Sequence, residues 1–177
     1  MAQSAFILRV PEAEPFVARL RERFDPVARL GVPAHITLLF PFASPERITA
    51  GMLREARAIA SAVAAFPFRL ARIERFPGTL YLAPEPGEPL VALTEALARS
   101  FPEFPPYAGE FDSIIPHLTV AHGTQDELRA AEDELRATWP VSGLEVRSCG
   151  TLSLIENSSG RWEPLAELPF AGLRAPS

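Results

Sequence analysis

The chain has 177 residues, 47% hydrophobic and 22% charged, with a formal net charge of −5, a composition that fits one soluble globular domain. No apolar run approaches the ~20 residues that span a bilayer, and the start lacks the basic and apolar segments of a signal peptide, so a cytoplasmic protein without membrane contact is expected. The acidic balance opposes a long nucleic acid held by its phosphates, which leaves a small anion or the end of an RNA as the easier partner.

In chain order, Phe6, Leu8 and Val10 alternate as a first strand that Pro11 stops, and Phe16, Val17, Leu20 and Phe24 follow at helical spacing. Val32-Pro33 leads into a strand, His35-Ile36-Thr37-Leu38, whose outward end is Phe40-Pro41-Phe42. Ser44 with Pro45 directly behind it predicts a helix start, cap then first-turn proline. Ile48, Met52, Ile59 and Val63 would give that helix its apolar stripe. Residues 67–76 and 79–83 read as strands joined tightly at Pro77-Gly78. After a turn-rich loop from Pro84 to Pro89, Leu90, Leu93, Leu97 and Phe101 mark a third helix.

Pro102 to Pro116 holds four prolines and is the longest irregular stretch, of a length that in compact domains often carries function. A second motif strand follows, His117-Leu118-Thr119-Val120. Thr124 with Glu127 three residues on is a capping box for a helix that turns Leu128, Ala131 and Leu135 inward. Two more strands are expected, the second at Gly150-Thr151-Leu152-Ser153-Leu154, and Trp162 to Phe170 adds a last one. Cys149 is the single cysteine; it excludes an internal disulfide and reads as a small buried residue on an interior strand. Every basic residue is arginine, which with the many alanines and prolines points to a GC-rich bacterial genome.

The repeated His-x-Thr pattern carries the chemistry. Each half runs motif strand, helix cap, helix, strand, then a Gly-Thr-Leu-x-Leu strand, which predicts a pseudo-twofold single domain. With a side-chain period of two, His35, Thr37, His117 and Thr119 share a face opposite Ile36, Leu38, Leu118 and Val120. The same parity adds Thr79, Tyr81, Thr151 and Ser153 to that face. Histidine titrates nearest neutrality, so one imidazole can take a proton from an attacking water or hydroxyl while the other gives one to a leaving oxygen. The threonine hydroxyls can hold the non-bridging oxygens of a phosphodiester. Such chemistry needs no metal, and two histidines are too few for a zinc shell. His122, five positions after His117, falls on the opposite face of a straight strand, as does Phe40 relative to His35. Phe42, Tyr81 and Tyr107 are candidates to stack on a base.

At His35-Ile36-Thr37-Leu38-Leu39-Phe40-Pro41-Phe42 and Pro116-His117-Leu118-Thr119-Val120-Ala121 the chain resembles the 2H phosphoesterase superfamily, and within it the 2′-5′ RNA ligase-like proteins. The resemblance implies a bilobal α+β module, with two antiparallel sheets facing across a groove and helices outside. It implies hydrolysis of 2′,3′-cyclic phosphates on a cyclic nucleotide or RNA end, with 2′-5′ RNA ligation or binding without turnover as alternatives. Carried over by position, His35 and His117 form the catalytic pair and Thr37 and Thr119 hold phosphate, with Tyr81, Ser153 and Phe42 as further substrate contacts. No cofactor and a monomeric protein are expected. Neither motif contains a basic residue, and Arg161 is the candidate to supply positive charge.

Overall fold

Apolar residues at every second position bury one face of an eight-stranded sheet under helices in the computed structural model, which describes residues 1–110, 113–147 and 149–172. The strands are β1 (Ser4–Arg9), β2 (His35–Leu39), β3 (Phe68–Phe76), β4 (Thr79–Glu85), β5 (Leu118–His122), β6 (Leu144–Val146), β7 (Thr151–Glu156) and β8 (Glu163–Pro169). The helices are α1 (Glu14–Phe24), the single turn α2 (Pro26–Arg29), α3 (Ala50–Ser61), α4 (Glu88–Ser100) and α5 (Gln125–Arg136). The class is α+β, as expected. The strand order is β6-β3-β4-β5-β2-β1-β7-β8, with antiparallel neighbours throughout. The two expected sheets are the four-stranded halves of this order. They join where β5 meets β2 through one register pair, Ile36 with Leu118.

The duplication is real in outline but begins one strand earlier than the sequence suggests. Each unit is strand, helix, motif strand, helix, strand: β1-α1-β2-α3-β3 and β4-α4-β5-α5-β7. The closing strand of each unit crosses to the other half, β3 beside β4 and β7 beside β1. The Gly-Thr-Leu likeness of β4 and β7 therefore does not mark equivalent positions. In the pairing, Tyr81 lies opposite Thr119 as Ile7 lies opposite Thr37.

On the helix-covered face, Phe6, Leu8, Ile36, Leu80, Leu82, Leu118 and Leu152 are buried together with Val17 and Leu20 of α1, Leu93 and Leu97 of α4, and Leu128 and Leu135 of α5. Each such side chain contributes roughly 1.5–3 kcal/mol by leaving water. The Thr124–Glu127 capping box forms as predicted. Gly78, at φ +75°, closes the β3–β4 hairpin in a left-handed turn that suits glycine. Ser44-Pro45 opens only a short 3-10 turn, because Ile48 is extended; α3 starts after Thr49, whose hydroxyl accepts the Met52 N–H at 3.2 Å. Cys149 is buried, but in the connection between β6 and β7 instead of on a strand.

Two matched β-bulges change which side chains face where. Thr37 pairs with Ile7 and Leu39 with Phe6, so Leu38 is the extra residue of β2. Thr119 pairs with Tyr81 and Ala121 with Leu80, so Val120 is the extra residue of β5. A bulge inserts one residue and resets the alternation beyond it. Both members of Leu38-Leu39 and of Val120-Ala121 are accordingly buried. Phe40 and His122, which a straight strand would send to the helix side, instead join the face of the histidines and threonines. Phe40 packs there against Trp162, Val27 and a small second cluster of Ala5, Ile7, Val32 and Ile155. Phe42 goes the other way: it is 5% exposed, with Phe6, Phe101 and Phe104 ring centroids at 4.8, 5.1 and 5.0 Å. It is placed as a core residue and does not line the groove. Phe42→Ala is expected to lower unfolding free energy by about 3–5 kcal/mol, measured by urea denaturation; an unchanged midpoint would contradict this core assignment.

Candidate active site

The antiparallel seam sets the geometry. Continued one residue either way, the Ile36–Leu118 register puts His35 across from Thr119 and Thr37 across from His117. The two histidines are then diagonal neighbours, about 7–8 Å apart between backbones, with the two threonines on the other diagonal. Such a square gathers two imidazoles and two hydroxyls on one face of the seam.

Both histidines are held in the same way. The His35 Nδ1 lies 2.8 Å from the Pro33 carbonyl oxygen, and the His117 Nδ1 lies 2.8 Å from that of Ile115. A carbonyl only accepts, so each Nδ1 carries the hydrogen and each neutral ring presents Nε2 as a base. Among the described residues, neither Nε2 and neither motif threonine hydroxyl has a protein hydrogen-bond partner. The sequence carries the anchor two residues before each histidine, but the tautomer is legible only in the fold.

Both imidazoles are half-buried and biased toward the neutral form. His35 is pushed down to about 4, first by burial and then by the charge of Arg21. His117 is lowered as well, by burial and by the nearby His122, against the opposing pull of the Ile115 carbonyl.

The surroundings of the two histidines differ. His117 sits in an aromatic box, edge-on to Phe76 and Tyr81 at 5.3 and 5.6 Å and nearly parallel to Tyr107 at 6.4 Å. Tyr81 is 4% exposed and donates its hydroxyl to Glu74 Oε2 at 2.8 Å, while Glu74 Oε1 accepts from Arg72 Nε at 2.7 Å. Burial and the Glu74 bond push the phenol up to about 12. Tyr81 thus stands in the site as a wall behind His117. Tyr107 and Ala108 both adopt left-handed backbone, φ 52° and 54°, and the Tyr107 N–H donates to the Phe40 carbonyl at 2.7 Å. Such strain costs roughly 1–3 kcal/mol per residue, and here it points the Tyr107 ring at His117. The irregular Pro102–Pro116 stretch is therefore part of the site; its Phe111 and Asp112 lie outside the described residues. A recess of about 470 Å³ opens between Phe76, Thr79, Tyr107, Ile115, His117 and His122. Within it the His122 Nδ1 lies 3.1 Å from the Thr79 hydroxyl.

On the His35 side, Ser153 shares the face but is 1% exposed and donates its hydroxyl to Glu167 Oε2 at 2.7 Å. Its place two strands from the seam, and that bond, make it part of the wall. Arg161 lies near the Arg29 carbonyl, its Nη1 at 3.4 Å, beside Trp162. The cation directly opposite His35 is Arg9, paired in register on β1 and held by Glu167 Oε1 at 2.7 Å. Sequence reasoning missed Arg9, although its alternation against Phe6, Leu8 and Val10 already placed it on the polar face.

The lowered His35 value has a consequence for stability. Between pH 6.5, where the unfolded imidazole titrates, and about 4, the unfolded chain binds more protons than the folded one. Stability is then fully present above pH 6.5 and is lost as pH falls toward 4. His35→Gln is expected to flatten this part of the pH–stability curve, measured as urea midpoints at pH 7 and 4.5. Parallel curves for the two proteins would refute the lowered value.

Comparison with known proteins gives three consistent results. A family model described as the 2′-5′ RNA ligase superfamily matches residues 10–160. Proteins named "Putative phosphoesterase" from Bacillus cytotoxicus and Geobacillus kaustophilus are 32% and 31% identical over 111 residues, 60% of this chain. The match spans 61% of the length of each of these curated relatives. Among solved structures, Escherichia coli LigT complexed with 3′-AMP aligns with TM-score 0.61 at 15% identity, over 95% of this chain and 97% of that one. The protein TT0787 of Thermus thermophilus aligns with TM-score 0.60 at 21% identity, over 97% of this chain and all of that one. At these identities the structural likeness is one of fold.

Proposed function

The chain belongs to the 2′-5′ RNA ligase superfamily, and from that premise we propose that it is a metal-independent phosphodiesterase that opens a 2′,3′-cyclic phosphate on a nucleotide or RNA end. The observation that carries this reading is the matched pair of histidines, each fixed by an Nδ1–H bond to its own strand and each presenting a bare Nε2.

The chemistry follows from the square of side chains. One Nε2 removes a proton from a water that attacks phosphorus. The opposite imidazole, protonated, donates to the ribose oxygen as its bond to phosphorus breaks. Base and acid on opposite sides of the phosphate suit in-line displacement, and each proton transfer is worth about 10²–10⁴ in rate. On this reading the Thr37 and Thr119 hydroxyls bond the non-bridging oxygens. The recess beside His117, with aromatic walls and the polar pair His122–Thr79, suits a nucleoside, whose base can stack on a ring. Hydrolysis of a 2′,3′-cyclic nucleotide releases a 2′- or 3′-monophosphate, and 3′-AMP is the ligand named with the LigT structure. In a protein of net charge −5, a compact substrate with a single charged phosphate meets less repulsion than a long strand.

The decisive test is incubation of EDTA-treated protein with the four nucleoside 2′,3′-cyclic phosphates, followed by separation of the products. Turnover is expected, with His35→Ala and His117→Ala each losing about 10²–10⁴ in kcat/KM. Binding without product would favour a nucleotide-binding role, and near-normal rate in either variant would sink the two-histidine mechanism.

A pH profile gives a second, independent check. The productive free enzyme has one imidazole protonated and one neutral, and kcat/KM reports the free enzyme. With both groups below 6.5, the bell-shaped profile of kcat/KM is expected to peak on the acid side of pH 6.5. A maximum above pH 7.5 would count against it.

A further inference from the structure

We infer that the buried Arg21–Asp25 ion pair is the positioning device for His35, holding the Val32–Pro33 segment whose carbonyl fixes the imidazole. The pair lies at the end of α1, with side chains 2% and 1% exposed. Arg21 donates from Nε and Nη2 to Asp25 Oδ2 at 3.1 and 2.8 Å, and from Nη1 to the Val32 carbonyl at 3.1 Å. Asp25 Oδ1 in turn accepts the Val27 N–H at 3.2 Å, which starts α2.

The next peptides are held as tightly. The Ala34 N–H donates to Glu14 Oε1 at 2.5 Å, and the Ala34 carbonyl accepts from the Val10 N–H at 2.8 Å. Pro33, between these clamped residues, offers its carbonyl to His35 Nδ1. A planar guanidinium can bind a carboxylate and a carbonyl at once, which an ammonium cannot do in the same geometry. Removing water from two charges is costly, so a pair buried here calls for a reason beyond stability; of its two bonds to other residues, one caps α2 and the other holds the residue next to the histidine anchor.

The ionic groups around His35 are few. Arg21 and Asp25 stand behind it from the end of α1, His117 faces it across the seam, and Arg9 is its neighbour in register on β1, tied to Glu167. Arg21 and His117 oppose its protonation and Asp25 favours it. Among the described residues, the neighbours of His117 are the aromatic box and His122, with no comparable ion pair. The two histidines share a tautomer but differ in the device behind them.

The inference rests on the phosphodiesterase reading only for its kinetic arm, and the spectroscopic arm stands without turnover. The double variant Arg21→Met with Asp25→Leu removes both charges together, so no buried charge is left unpaired, a replacement that folded proteins commonly tolerate. It is expected to keep a cooperative unfolding transition, to lose the slowly exchanging Nδ1–H proton signal of His35 in NMR and to retain that of His117. With 2′,3′-cyclic AMP, kcat should fall about 10- to 10²-fold, the scale of a misplaced catalytic group, with KM within a factor of about two. Retention of the His35 signal with unchanged kcat would overturn the proposal, whatever happens to the melting temperature. If the double variant does not fold, Arg21→Lys, which keeps a charge for Asp25 but cannot bond it and the Val32 carbonyl in the same geometry, decides the matter by the same His35 and His117 signals, and Asp25→Asn separately removes the carboxylate charge. At pH 4.5 its His35 resonance should lie nearer the neutral position than in the parent, with His117 unmoved; identical His35 shifts would overturn the electrostatic part. Absence of turnover in the parent would fail the phosphodiesterase reading and leave both NMR results to judge the clamp.

Discussion

A single register pair, Ile36 with Leu118, joins the two halves of the sheet, and the candidate site exists because of it. Antiparallel pairing at that point sets each motif histidine across from the threonine of the other motif. A slip of one residue would turn the histidine of the slipped strand into the helix-covered core, because the side-chain period of a strand is two. The seam is short, yet its register is firmly specified: Ile36 and Leu118 are both fully buried and leave no polar alternative beneath them.

From that seam the matched bulges at Leu38 and Val120 build an unsymmetrical groove out of symmetrical strands. They bring Phe40 and His122, each five residues after its histidine, onto the same face. Phe40 is covered by Trp162 and the segment around α2, closing one end. His122 stays exposed beside the recess and opens the other. One duplicated backbone thus yields a plugged side with an ion pair behind its histidine and an open side with an aromatic box.

Electrostatically the site is arranged to wait. Burial, the charge of Arg21 behind one ring and His122 beside the other bias both imidazoles toward the neutral form, whereas the proposed general acid must carry a proton. On the proposed function, a bound phosphate would supply that charge, since a nearby negative group favours the imidazolium. The groove-face cations Arg9 and Arg72 are paired with Glu167 and with Glu74 and Glu85.

The sequence by itself determined the α+β class, the two motif strands, the capped α5 and the identity of the four side chains at the seam. Those follow from local rules: period-two alternation, capping chemistry and the choice of histidine and threonine. It could not reveal the positions of Phe40, Phe42 and His122, because a bulge leaves no mark in the alternation until the partner strand is known. Nor did it place Ser153, whose hydroxyl is claimed by Glu167, its register partner on the next strand β8. The pairing of β7 with β1 is long-range, whereas β3 meets β4 in the hairpin that the sequence predicts. Chemistry was written in the motifs; which residues stand around it was settled by tertiary structure, since contacts between distant strands are fixed only when the whole sheet closes over one core.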